Sequence, residues 1–209
     1  MVSGIWGKKI GMTQVFNKDQ AIPVTVVDVG NWFVTGFKTK ERDGYNAVQV
    51  GCVKKRYADE TPQNSWMKEL KTYFTHVREI PTAQLPEGLK IGSPVDFFNQ
   101  LKEGEQVDVF GITRGHGFAG VVRRHRFRGG RASHGSTLGK STGGISHMRA
   151  CGRVIKGKRM PGHMGVARRT MRNLDVVEVR QNGPIVPIKG SVPGHSGSLL
   201  YLRRLHQNV

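Results

Sequence analysis

Apolar and polar positions alternate along three stretches in the first quarter of the chain. Ile22–Val29 (IPVTVVDV), Trp32–Lys38 (WFVTGFK) and Asn46–Val53 (NAVQVGCV) are rich in β-branched residues and are separated by Gly30-Asn31 and Asp43-Gly44. A period near two, punctuated by turn residues, predicts three antiparallel strands. Gln106–Thr113, Leu174–Arg180, Ile185–Lys189 and Leu199–Arg204 continue the style, with Glu103-Gly104 and Asn182-Gly183 as turns, so a small closed barrel suits the pattern. Between the two groups, Trp66, Leu70 and Phe74 have helical spacing within Asn64–Phe74, while Pro62, Pro81, Pro86 and Pro94 punctuate the rest. The fold class expected is mainly β, a closed barrel with a smaller inserted α+β region at 57–98. Trp32, Phe33, Trp66 and Phe97 fall on these periods and are core candidates before they are stacking candidates.

Charge changes the picture. The 209 residues carry 33 Lys and Arg against 15 acids, a formal +18. After Asp108 the next acid is Asp175, and the 66 residues between them hold 15 Lys and Arg, 14 of the 28 glycines and five of the eight histidines. The remainder of the chain is close to neutral. The expected organisation is therefore a globular domain of 1–112 plus 173–209, interrupted by a basic, glycine-rich extension at 113–172. Such a segment cannot bury itself, and like charges without acids repel one another unless phosphates neutralise them.

Several other chemistries are set aside. No window approaches 18 consecutive apolar residues, so no membrane partner is expected. Met1–Lys9 reaches Lys8 and Lys9 without a secretory apolar run, which points to the cytosol or an organelle's interior. Cys52 and Cys151 stand 99 positions apart, too isolated for a disulfide framework or a zinc ribbon, and read as reduced, inert thiols. Gly115 to Gly120 matches G-x-G-x-x-G after an expected strand, with a short helix expected at Phe118–Arg124, yet no ribose-binding acid follows. Its glycines and a helix start remain useful for approaching phosphate. His134 stands where a phosphate-binding loop ending at Lys140-Ser141 requires its first glycine. His147 and Cys151 form an i, i+4 pair in a segment without periodicity, so no metal is expected. With carboxylates absent from the segment that looks functional, neither catalysis, a cofactor nor a small-molecule substrate is expected.

What the segment offers is arginine. Arg123, Arg124, His125, Arg126, Phe127, Arg128 and Arg131 form one cluster, Arg153, Lys156, Lys158 and Arg159 a second, and Arg168, Arg169 and Arg172 a third. Lys8, Lys9, Arg114, His116, His134, Lys140, His147, Arg149 and His163 complete the candidate RNA-contacting set. Guanidinium forks pair with phosphate oxygens and stack on bases, and glycine lets a backbone pass through narrow clefts in folded RNA. No helix long enough for a DNA groove carries these charges, so RNA is expected rather than DNA. A free nucleic-acid chaperone and a nucleotide-dependent enzyme built on Gly115 to Gly120 are the rival readings.

The chain resembles bacterial-type ribosomal protein L three, from bacteria or organelles, essentially end to end. The likeness is carried by Gly7-Lys8-Lys9-Ile10-Gly11-Met12-Thr13, Ile22-Pro23-Val24-Thr25-Val26, Asp43-Gly44-Tyr45, Gly115-His116-Gly117-Phe118-Ala119-Gly120, Ser133-His134-Gly135-Ser136, Lys156-Gly157-Lys158-Arg159-Met160-Pro161-Gly162-His163-Met164-Gly165 and Asn173-Leu174-Asp175-Val176-Val177. The resemblance implies a translation-protein-type β-barrel and a loop running through large-subunit ribosomal RNA towards the peptidyl transferase centre. It also implies early binding in assembly, neighbouring ribosomal proteins as partners, and residence in the ribosome. Some relatives carry a methylated glutamine in the loop; Arg149 stands at or near that place here, and the modification is not expected.

Overall fold

The computed structural model describes residues 4–17, 20–58, 60, 62–83, 88–96, 101–146, 152–177 and 184–205. The chain divides into two compact units, Met1–Ile112 with Arg168–Val209, and Thr113–Ala167. In chain order the first unit supplies β1 (Gly4–Asn17), β2 (Gln20–Asp28), β3 (Trp32–Lys38), α1 (Lys40–Asp43), β4 (Ala47–Val53), α2 (Leu70–Tyr73), β5 (Phe74–Pro81) and β6 (Gln106–Ile112). The second unit holds β7 (Phe118–Ala119), α3 (Val121–His125) and β8 (Gly162–His163). The first resumes with β9 (Arg168–Asp175), β10 (Ile185–Lys189) and β11 (Leu199–Arg204). The fold is mainly β.

The strands of the first unit form a six-stranded sheet, ordered β10-β2-β1-β11-β6-β9, and a three-stranded sheet, β3-β4-β5. The pairings in both are antiparallel. At the two ends of the larger sheet, Val176 and Ile188 form a single bridge, and the Val177 N–H donates to the Pro187 carbonyl at 3.0 Å. Inward side chains of both sheets share one core, among them Ile5, Val27, Val34, Val50, Ile80, Val109, Val186, Leu200 and Leu202. Each such side chain withdrawn from water contributes roughly 1.5–3 kcal/mol. Trp32 lies in this core, and Trp66 in a satellite cluster with Val53 and Phe74, against which Phe33 packs. Phe97 lies outside the described residues.

Three sequence expectations change. The three antiparallel strands expected first, β2, β3 and β4, do not share one sheet: β2 has both edges occupied, by β1 and β10, and β3 begins the second sheet with β4. Asn64–Phe74 is not a helix but a 3-10 turn at Asn64–Met67 followed by the single turn α2, and Phe74 already opens β5. The spacing of Trp66, Leu70 and Phe74 reflects a shared cluster in which Trp66 and Tyr73 stack at 4.6 Å, not a continuous helical face. The strand expected from Leu174 starts earlier, at Arg168; residues 178–180 and the Asn182-Gly183 turn lie outside the described residues.

Candidate nucleic-acid interface

The basic segment begins where two chain limbs pair. The Thr113 N–H donates to Ala167 O, Val166 N–H to Thr113 O, His116 N–H to Met164 O, and Met164 N–H to Gly117 O, at 2.9–3.2 Å. Phe118–Ala119 and Gly162–His163 extend this ladder as β7 and β8. Gly165 is indispensable to it: its φ is +88°, and a Cβ there would overlap the Arg114 carbonyl.

Beyond the ladder, α3 occupies five residues and packs only Val121 inward. Arg124 Nη1 donates to the Met160 carbonyl at 2.7 Å, and His125 Nε2 meets the same oxygen at 3.1 Å, so two candidate residues tie α3 to the returning limb. Arg123 Nη2 lies 3.0 Å from His116 Nδ1; since guanidinium can only donate, that ring nitrogen accepts. Arg126 ends the helix at φ 61°, its N–H returning to Val121 O. Farther out, the Gly130 N–H donates to Gly139 O at 2.7 Å and pinches off a sub-loop carrying His134.

Among the described residues of 113–167, only Ala119 and Val121 are buried. Phe118 is 78% exposed, and Leu138, Ile145, Val154, Ile155 and Val166 are exposed as well. Arg114, His116, Arg123, Arg124, Arg126, Arg128, Arg131, His134, Lys140, Arg153, Lys156, Lys158, Arg159 and His163 are exposed, and His125 and Phe127 are half-buried. Arg168, Arg169 and Arg172 are exposed on β9. His147, Arg149 and Cys151 lie outside the described residues.

The two remaining candidates sit in the first unit, and Lys9 differs from the expectation. Lys9 is buried, and its Nζ donates to the carbonyls of Val192 at 3.1 Å and Gly194 at 3.2 Å. Strand alternation places it with Ile5 on the inward side of β1, so its ammonium braces a loop instead of facing a phosphate. Lys8 is half-buried beside Cys52 and His76. Burial pushes the Cys52 thiol up, and Lys8 opposes that shift; burial, then Lys8 and Arg78, holds His76 below its ordinary value. Cys52 is a free, buried thiol.

The G-x-G-x-x-G stretch forms one limb of the ladder, with the His116 N–H already engaged, and the helix after it is a single short turn. It does not form a dinucleotide fold. No group of three or more His, Cys, Asp or Glu with metal-holding proximity exists among the described residues. What the segment presents is exposed guanidinium, ammonium and imidazole groups beside exposed apolar side chains, with no carboxylate of its own to pair with them. That chemistry suits a polyanion with stackable faces. The sequence pattern assigned no role to Trp6, Tyr201 or Phe110, which lie on adjacent strands β1, β11 and β6 in that order; the signal available was their alternation with buried neighbours on each strand.

Residues 90–184 match the family model described as Ribosomal protein L3. The chain is 42% identical over 208 residues to "Large ribosomal subunit protein uL3" of Solibacter usitatus, covering 98% of this chain and 99% of the relative. It is 42% identical to the proteins of the same name from Akkermansia muciniphila, covering 97% and 98%, and from Deinococcus radiodurans, covering 97% and 94%.

Proposed function

Because this chain belongs to the ribosomal protein L3 family, we propose that it is a structural constituent of the large ribosomal subunit, binding 23S-type ribosomal RNA, nucleating its assembly and extending residues 113–172 towards the peptidyl transferase centre. The family is structural, not enzymatic. The observation that carries the reading is the acid-free segment: 15 Lys and Arg over 66 residues, each exposed wherever described in 113–167, around a unit with only two buried residues among those described. A segment that buries almost nothing of its own is stabilised by what it binds.

The contacts proposed are the members of the three clusters, His125 and Phe127 included, with Lys8, Arg114, His116, His134, Lys140 and His163, and with His147 and Arg149 on sequence grounds. Lys9 is withdrawn from the set. Neighbouring large-subunit proteins complete the partners, and the site of action is the ribosome, in the cytoplasm or an organelle. RNA is favoured over DNA because no helix among the described residues exceeds five residues, too short to fill a major groove. The reading includes closure of the six-stranded sheet into a barrel, supported by the bridge from Val176 to Ile188 and the Val177 to Pro187 hydrogen bond. It also keeps 57–98 as a smaller inserted region.

The test is sedimentation of tagged protein from lysate through sucrose gradients after a wash at roughly 0.5–1 M salt, which strips merely electrostatic binders. Retention near one copy per large subunit is expected. Release into the soluble fraction would instead favour a free nucleic-acid binder.

A further inference from the structure

Trp6, Tyr201 and Phe110 stand in register on β1, β11 and β6, each half-buried, with Trp6 also packed against the core cluster. Tyr201 is the middle ring, 4.8 Å from Trp6 at 45° and 5.8 Å from Phe110 at 46°. Its tip lies over Gly4, where a Cβ would overlap the ring, so the half-buried tyrosine lies against the strand backbone. Arginines border the row at both ends: Arg78 lies 5.9 Å from the Trp6 ring, and Arg203 and Arg168 lie 5.2 and 5.5 Å from the Phe110 ring. All three arginines are exposed, and Arg203 pairs with the buried Asp108 at 2.7 Å.

We propose that this row is a second RNA contact, separate from the basic segment, in which an unpaired base stacks on Tyr201 while Arg78, Arg203 and Arg168 receive the flanking phosphates. The inference rests on the RNA-binding reading above. A recumbent ring on a sheet, supported by neighbouring aromatics and fringed by guanidinium groups, has the two elements that single-stranded recognition needs: a π-face for a base and cations spaced for the backbone. The arginine fringe favours RNA over a neutral or acidic protein face, because phosphates are the anions that match several arginines at once. Arg203 also pairs with the buried Asp108, while Arg78 and Arg168 lie beside aromatic rings.

Two measurements test it. Ultraviolet crosslinking of purified large subunits containing the protein, with mapping of nucleotide adducts to peptides, is expected to place an adduct on the β11 peptide at Tyr201. Adducts confined to residues 113–172 overturn the platform but leave the RNA reading standing, whereas no adduct on any peptide counts against both; a crosslink from Tyr201 to a neighbouring protein overturns the platform. In parallel, the full chain is titrated with an oligouridylate and an abasic oligonucleotide of equal length. Tyr201→Leu is expected to weaken oligouridylate binding by about tenfold or more while leaving abasic binding unchanged. Tyr201→Phe keeps the wild-type affinity. Should Tyr201→Leu unfold the sheet, Gly4→Ala, which displaces the ring without removing it, supplies the same comparison. Equal affinities for all variants, with wild-type thermal unfolding, overturn the proposal.

Discussion

Arg126 and His134 adopt φ values of 61° and 60°, a left-handed conformation that glycine occupies at no steric expense. A side chain there costs about 1–2 kcal/mol, so what these residues contribute is not stability. Arg126→Gly is expected to leave the melting temperature unchanged or slightly raised while weakening RNA binding and lowering the salt slope by about one, read from titrations at several salt concentrations. Lys9 predicts the reverse. Its ammonium satisfies two carbonyls in a buried place, so Lys9→Met is expected to lower stability by about 1–3 kcal/mol in urea unfolding, with the salt slope of RNA binding untouched. His76 adds a pH dependence. Burial, with Lys8 and Arg78 nearby, depresses its pKa below 6.5. The unfolded chain therefore takes up the proton first as pH falls: the contribution is complete above about pH 6.5 and is lost as pH drops towards the folded value. His76→Gln is expected to flatten the decline of melting temperature with acidification in that window, and an unchanged decline would assign it to other groups.

At the scale of elements, the paired limbs of the second unit depend on one position. Gly165→Ala forces a Cβ against the Arg114 carbonyl at a φ of +88°, so the ladder from Thr113 to Met164 must open. Incorporation into large subunits, followed by gradient fractionation, is expected to fall. The cooperative unfolding of the first unit, whose core clusters contain no residue of 113–167, is expected to persist. The same elements show what was legible beforehand. β3, β10 and β11 have the bounds their alternation indicates, because each places β-branched or leucine side chains on one buried face. β1 escaped notice because Gly7, Lys8, Lys9 and Gly11 interrupt its apolar period, and β9 because its exposed arginines obscure a strand held largely by backbone pairing to β6. β5 was concealed by three cluster residues that imitate helical spacing. In the candidate site, exposure of the cations followed from the missing acids. The inward turn of Lys9 did not, since the phase of alternation on β1 is decided by the strands and loop beside it.

For the whole molecule, the distribution of buried side chains separates folding from binding. Both hydrophobic clusters are drawn wholly from the first unit, while the second has only Ala119 and Val121 buried among its described residues. Removing Gly129–Gly165 therefore takes away none of the described core and no member of the paired strands of the first unit. It does take away Arg131, Lys140, Arg149, Arg153, Lys156, Lys158 and Arg159, each a proposed phosphate contact. The deletion protein is expected to retain its β circular dichroism and a cooperative melt, yet to enter large subunits poorly, and its RNA affinity is expected to respond less steeply to salt. Joint loss of the melt and of incorporation would show that the segment takes part in folding the first unit. Loss of incorporation alone would place the energetic role of the basic segment in the RNA it contacts, with the β unit as the anchor that presents it.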